Sequence, residues 1–99
     1  MAEYFEENGQ LRCVFQGALD TVACDKMAPD LYARVDKSTL PVVFDLKGVE
    51  FMASAFFRIC LVVGKKRGSD KLTIINLAPM CKRMFKIAGL DRIFQLVDC

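Results

Sequence analysis

The chain has 99 residues, of which 54% are hydrophobic, and 14 Lys+Arg against 12 Asp+Glu give a net charge of +2. This length predicts a single domain over residues 1–99. The apolar stretch 51–63 is too short for a membrane span and contains Arg58, and the acidic N-terminus does not predict a signal peptide. The absence of histidine, with five cysteines that form no C-x-x-C motif, excludes histidine-dependent catalytic triads and the common zinc sites. We therefore expect a cytoplasmic protein that is not an enzyme, has no metal or cofactor, and does not insert into a membrane.

A β-hairpin is predicted at the start of the chain. Residues 4–7 and 11–15 have the composition of two short strands, and Asn8-Gly9 between them is a strong signal for a two-residue turn. Gly17 is expected to end the second strand.

The first helix is predicted to begin after Asp20 or Thr21, either of which can cap it. Its inner face is indicated by apolar residues at a four-residue stride, Met27, Leu31 and Val35. Pro29 falls inside this pattern, so the helix is expected either to be kinked there or to start late.

The rest of the chain alternates strands with helices. Residues 42–46 and 72–76 are nearly all apolar, which is typical of strands covered on both faces, and residues 92–97 predict a last short strand. A second helix is predicted over residues 54–66. A third helix has Pro79 in its first turn and stops at Gly89, and its inner face is predicted to consist of Met80, Met84, Ile87 and Ala88. The resulting order, β-β-α-β-α-β-α-β, predicts an α/β fold with parallel central strands.

The charges are distributed unevenly along the chain. Residues 1–50 contain nine acidic and five basic side chains, whereas residues 51–99 contain nine basic and three acidic ones. The aromatic residues of the basic half have core-like spacing, so we expect no direct nucleic-acid binding and interpret the asymmetry as steering towards a protein partner.

Four segments match, in order, the motifs of one known family. Gly17-Ala18-Leu19-Asp20 is similar to a Gly-x-Leu-Asp motif, and residues 42–52 are similar to a central strand and its following loop. Residues 53–57 stand where the family has Asp-Ser-Ser-Gly-Leu, and residues 77–94 resemble a closing helix with a Gly-Leu-x-x-(Ile/Leu)-Phe signature. The chain thus resembles the STAS domains of bacterial anti-sigma factor antagonists. This resemblance implies the STAS fold, a mixed sheet of about five strands with about three helices packed mainly on one face.

The resemblance also implies a role in transcription regulation by partner switching. Such a domain binds an anti-sigma factor that is also a serine kinase; the kinase phosphorylates a serine at the start of the second helix, which ends binding, and a cognate phosphatase restores it. Ser54 matches that serine. The implied partner surface comprises Asp20, Ala53, Ala55, Phe56, Phe57 and Arg58.

Three positions depart from the family motif: Ala53 replaces its aspartate, Ala55 its second serine and Phe56 its glycine. Two alternatives therefore stay open, a degenerate STAS module that binds constitutively, also as a homodimer, and a STAS subunit of a lipid-transport or ligand-binding system. The second helix is apolar almost all round, and Phe56 is expected either to fill space in the domain or to belong to a contact patch.

Ser54 has two compatible interpretations. Serine is a preferred helix N-cap, and it is also the phosphoacceptor that the resemblance implies. A phosphate there would meet the positive end of the helix and, one turn on, Arg58, so we expect phosphorylation to abolish an interface without unfolding the domain.

Overall fold

The structure is a computed structural model and describes residues 2–68 and 72–97. Strands and helices alternate along these residues. The strands are β1 (Ala2–Glu7), β2 (Gln10–Gln16), β3 (Val42–Gly48), β4 (Leu72–Ile75) and β5 (Gln95–Val97). The helices are α1 (Thr21–Asp36), α2 (Ser54–Arg67) and α3 (Pro79–Ile87), followed by a 3-10 turn, Leu90–Arg92. The predicted order of elements is confirmed. Within these residues, no helix combines the length and the apolar character needed to cross a bilayer.

The five strands form one mixed sheet in the order β1-β2-β3-β4-β5. β1 and β2 are antiparallel, and the hairpin turn between them has φ angles of 53° at Asn8 and 72° at Gly9. β2, β3, β4 and β5 pair in parallel, as predicted for the central strands. Because each parallel strand is added on the same side of the preceding one, right-handed crossovers place the three helices on one face of the sheet.

The core lies between the three helices and the face of the sheet that they cover. Along β2, Leu11, Cys13 and Phe15 are fully buried, whereas Arg12 and Val14 between them are only half-buried. The ring of Phe15 meets those of Phe44 and Phe56 edge to face, with centroids 5.0 and 5.3 Å apart. Strand alternation and aromatic packing together fix how β2, β3 and α2 stack.

Helix α1 begins directly after the predicted cap residue Asp20 and continues through Pro29. Asp20 is the N-cap, and its Oδ1 accepts a hydrogen bond of 2.8 Å from the amide of Ala23. Pro29 lies on the exposed side of an uninterrupted helix, so the alternative of a late start is wrong. The capped first turn and the buried stripe of Cys24, Met27, Leu31 and Val35 hold the helix together despite the missing proline N–H.

The inner face of α3 is not the predicted one, because Met84 is half-buried but Met80, Ile87 and Ala88 are exposed. Cys81 and Phe85 are buried, whereas Met80 is 64% and Ile87 79% exposed. The predicted inner residues and the buried pair Cys81 and Phe85 are all apolar and all fit helical spacing, so periodicity alone does not distinguish the two faces. The structure therefore leaves a pair of large apolar side chains of α3 in solvent.

The segment after α3 is more irregular than the predicted strand 92–97. Gly89 ends the helix in the left-handed conformation, with φ of 76°, as the glycine predicts. The 3-10 turn then occupies Leu90–Arg92, and pairing with β4 is limited to Gln95–Val97. This turn brings Phe94 back onto α2, where its ring packs against Gly64.

Candidate functional site

The two loops that carry the family motifs meet at one edge of the sheet. β2 and β3 are parallel, so the loops that follow them, residues 17–20 and 49–53, leave the sheet at the same end. Leu19 donates its amide to the carbonyl of Phe51 at 2.9 Å, and Ala53 donates to the carbonyl of Leu19 at 2.8 Å. Leu19 and Met52 thereby form a parallel bridge beyond the strands. The structure thus brings together the segments that hold Asp20 and Ser54, which start α1 and α2.

Ser54 is the first residue of α2, and its side chain is exposed. The N-cap is Ala53, in extended conformation with φ of −94° and ψ of 166°, and it makes no side-chain cap bond. The interpretation of Ser54 as the N-cap is therefore wrong, because its backbone is already helical. Ser54 thus lies in the first turn of α2, at the end of the helix where the backbone amides have no i→i−4 partners.

The other predicted site residues differ in accessibility. Asp20 and Arg58 are exposed, and Asp20 is engaged in capping α1. Ala53 and Ala55 are half-buried. Phe57 is half-buried and stacks edge to face on Phe85 of α3, with ring centroids 5.1 Å apart.

Phe56 is not a surface residue. Its side chain is 0% exposed and lies in the aromatic cluster with Phe15 and Phe44. Its assignment to the partner surface is therefore wrong, and the alternative that it fills space within the domain is the one that the structure shows. An aromatic ring at this position points inward because the first turn of α2 packs directly over β2 and β3.

A surface groove beside the two loops was not predicted. It has a volume of about 380 Å³ and is lined by Gly17, Ala18, Lys47, Gly48, Glu50 and Phe51. Phe51 is 55% exposed although it follows a buried strand and precedes the buried Met52. Phe51 stands at the start of the apolar stretch 51–63, so no local signal in the sequence marked its ring as exposed. The groove adds an exposed ring and two opposite charges to the Ser54 end of the sheet.

Asp45 is the buried centre of a second arrangement that sequence reasoning missed. Its Oδ2 accepts from Nη2 of Arg12 at 2.5 Å, and its Oδ1 accepts from Nδ2 of Asn76 and from the amide of Lys47, both at 3.1 Å. Burial by itself raises the pKa of this carboxyl, but the three bonds outweigh that effect and lower the pKa from its ordinary value. Asp45 thereby ties β2, β3 and the residue after β4 together, near the loops described above.

Ser54 is an exposed residue with a hydroxyl at this end of the sheet, whereas the thiols that the structure describes are not accessible. The described cysteines, Cys13, Cys24, Cys60 and Cys81, are all buried. Burial raises the pKa of the Cys13 thiol to about 12 and that of Cys60 well above its ordinary value, so neither is a ready nucleophile. Among residues 2–68 and 72–97, no group of three metal-ligating side chains comes together.

Comparison with known proteins supplies a family for this arrangement. The family model described as the STAS domain matches residues 6–98. BtrV of Bordetella bronchiseptica, named as an anti-sigma factor antagonist, is 29% identical over 93 residues, which are 92% of this chain and 80% of that protein.

Solved structures show the same fold. An anti-sigma-factor antagonist (STAS) domain protein from Planctomyces limnophilus superposes with a TM-score of 0.91 at 18% identity, covering 99% of this chain and 90% of that one. The Bacillus cell fate determinant SpoIIAA in its phosphorylated form superposes with a TM-score of 0.69 at 13% identity, covering 97% of this chain and 90% of that one. Since the family model spans nearly the whole sequence and the five-stranded sheet agrees with it, the chain belongs to the STAS domain family.

Proposed function

We propose that the protein is an anti-sigma factor antagonist that binds an anti-sigma factor with serine kinase activity and is released when that kinase phosphorylates Ser54. The observation that carries the proposal is the exposed Ser54 hydroxyl at the start of α2, in a STAS chain related to BtrV. A phosphatase that removes the phosphate would return the protein to its binding state.

The local geometry suits a reversible modification. A phosphate on Ser54 adds about −1.5 to −2 charges at pH 7. It would stand at the positive end of α2 near the first backbone amides of the helix, with exposed Arg58 one turn along the same helix. The modified domain should therefore stay folded, and the charge and bulk of the phosphate would act on the partner's surface.

The test begins with the anti-sigma factor kinases of the source genome, each purified and mixed with this protein and Mg-ATP. We expect one of them to bind the unmodified protein and to add one phosphoryl group, which tandem mass spectrometry places on Ser54. The Ser54→Ala variant should bind but stay unmodified. Thr21→Ala is the matched control, because Thr21 is the exposed first residue of α1, and this variant should be modified like the natural chain. If none of the kinases binds the protein, the proposal is wrong.

A constitutive binding module is the second candidate, and the N-cap of α2 favours it. Ala53 provides no side-chain bond where the family motif has an aspartate, so a kinase that reads the aspartate would lack a contact. In this case a kinase partner binds, Ser54 stays unmodified, and Ser54→Asp binds as well as the natural protein does. Phosphorylation of Ser54 together with weakened binding by Ser54→Asp rejects this candidate.

A further inference from the structure

Helices α2 and α3 carry basic side chains and no acidic ones. Ser54–Arg67 and Pro79–Ile87 together contain seven basic residues, Arg58, Lys65, Lys66, Arg67, Lys82, Arg83 and Lys86. Helix α1, by contrast, mixes acidic Asp25, Asp30 and Asp36 with its bases. The charge asymmetry of the sequence is therefore concentrated on two neighbouring helices.

Part of this charge is exposed to solvent on each of the two helices. In α2 four of the five exposed positions recur at helical spacing, Ser54, Arg58, Leu61 and Lys65. In α3 the exposed positions Met80, Arg83, Lys86 and Ile87 lie opposite the buried Cys81 and Phe85. The two helices run in the same direction and touch through Phe57 and Phe85. We call these eight exposed residues the α2–α3 face.

Among the described residues, the bases of this face have no acidic side chain as an ion-pair partner. Lys66 pairs with Asp36 at 2.9 Å and Arg67 bonds the carbonyl of Val35, so both are committed to α1. Arg58, Lys65, Arg83 and Lys86 make no ion pair with any acidic residue of the described chain. Large apolar side chains are exposed on the same two helices, with Leu61 44%, Met80 64% and Ile87 79% exposed. Unpaired bases around exposed aliphatic groups are the composition of a protein-binding surface.

We infer that the α2–α3 face binds an acidic surface with an apolar centre on the same anti-sigma factor that contacts Ser54. This inference rests on the proposed function and identifies the chemistry of the partner. Charge complementarity requires acidic groups opposite the four bases, and Leu61, Met80 and Ile87 require aliphatic or aromatic groups between them. Nucleic acid would match the bases but would leave the three aliphatic side chains without partners, so a protein fits better.

The position of Ser54 on this face gives phosphorylation a direct electrostatic effect. The face has four positive charges and no negative ones, and a phosphate of about −1.5 to −2 charges removes nearly half of the excess. Arg58 would be drawn to the phosphate and away from the partner. The acidic partner would lose attraction at one end of the face while the fold stays unchanged.

Charge reversal on the face tests the inference. The probe is the anti-sigma factor kinase that binds the natural protein in the experiment above, and its dissociation constant is measured by calorimetry at low and high salt. Arg58→Glu/Lys65→Glu and Arg83→Glu/Lys86→Glu should each weaken binding at least about tenfold at low salt and flatten the salt dependence. Lys26→Glu/Lys37→Glu, which reverses two exposed bases on and just after α1, is the matched control and should stay within about twofold.

Several outcomes separate the inference from the proposed function. Thermal unfolding of each variant checks the fold, and Arg83→Gln/Lys86→Gln, which removes charge without reversing it, should weaken binding in the same direction but less. If the kinase binds the natural protein and the face variants match the control, the inference is wrong and the proposed function stands. If no kinase binds the natural protein, the inference and the proposed function are both wrong. If reversal changes only self-association, seen by sedimentation, or only binding to a random DNA duplex, the face serves another partner and the inference is overturned.

Discussion

Phe94 packs against the backbone of α2 at the one position where that helix has no side chain. A Cβ built on Gly64 would lie 2.6 Å from Cε1 of Phe94, well inside van der Waals contact. Glycine within a helix costs about 1 kcal/mol relative to alanine, so its presence here indicates that close approach of the ring compensates for poor helix propensity. The contact joins the last turn of α2 to the segment between the 3-10 turn and β5.

Gly64→Ala should accordingly destabilise the protein, although alanine is the better helix former. We expect the free energy of unfolding to fall by about 1 to 3 kcal/mol in urea titrations, because Phe94 is buried and has little room to move. In the background of Phe94→Leu, which removes the ring, the same Gly64→Ala change should be neutral or stabilising. Equal effects in both backgrounds would show that the ring contact is not the cause.

Asp45 predicts a specific response to acid. Because the pKa of this carboxyl is lowered in the folded state, its bonds contribute stability above about pH 4, and that contribution is lost as the pH falls through the lowered value. Asp45→Asn places an amide against the Arg12 guanidinium, and we expect a loss of about 1 to 3 kcal/mol at pH 7. The variant should also lose less further stability below pH 4 than the natural protein. Parallel acid-unfolding curves for the two proteins would contradict this assignment.

Among the elements, α1 and α2 differ in how their first turns are satisfied. Asp20 caps α1 with a side-chain bond, whereas Ala53 at the same position of α2 has the extended backbone of an N-cap but no side chain to accept. Ala53→Asp should therefore raise the free energy of unfolding by about 0.5 to 1 kcal/mol, measured by chemical denaturation. Asp20→Ala should lower it by about 1 kcal/mol. An Ala53→Asp protein no more stable than the natural one would mean that the α2 amides already have adequate partners.

The rotational position of α3 is tested by substitutions on its two apolar stripes. Phe85→Ala should cost about 3 to 5 kcal/mol because it opens a cavity beneath the helix and removes the ring that Phe57 contacts. Ile87→Gln, on the exposed stripe, should change stability by no more than about 0.5 kcal/mol. Thermal or urea unfolding measures the stability of both variants. A large loss of stability in Ile87→Gln would show that the inner face predicted from the sequence is the buried one.

The core of the whole molecule can be monitored through its thiols. Cys13 and Cys60 are buried in the layer between sheet and helices, and burial raises the pKa of both thiols. A cysteine-specific alkylating reagent should modify them only when the domain unfolds globally, so their labelling should follow the unfolding equilibrium as urea increases. Mass spectrometry of labelled peptides measures each site separately. Labelling at Cys60 well before global unfolding would reveal local separation of α2 from the sheet.

Across the molecule, the features that could be predicted depend on residues close together in sequence. The Asn8-Gly9 turn, the Asp20 cap and the Gly89 helix end are local signals, and the order of strands and helices with short connections determines the parallel sheet. The inward direction of Phe56 depends instead on the rings of Phe15 and Phe44, which only the folded sheet supplies.

Long-range polar contacts could not be predicted for the same reason. Asp45 meets Arg12 and Asn76 across 33 and 31 residues of sequence, and nothing local marks the three as partners. At the candidate site, Ser54 was identified by resemblance, whereas its position after the N-cap depends on the extended backbone of Ala53, whose amide donates to the distant Leu19 carbonyl.

The bonds that join Leu19 to Phe51 and Ala53 have a consequence for how Ser54 can be recognised. They extend the sheet past its strands and anchor the loop directly before the serine to a segment more than 30 residues earlier in the chain. A serine held in this way cannot be drawn out as an extended peptide into a catalytic cleft without breaking the ladder. Any kinase that modifies Ser54 must therefore recognise a discontinuous, folded epitope. A short synthetic peptide that spans the serine would lack most of the surface that the kinase contacts.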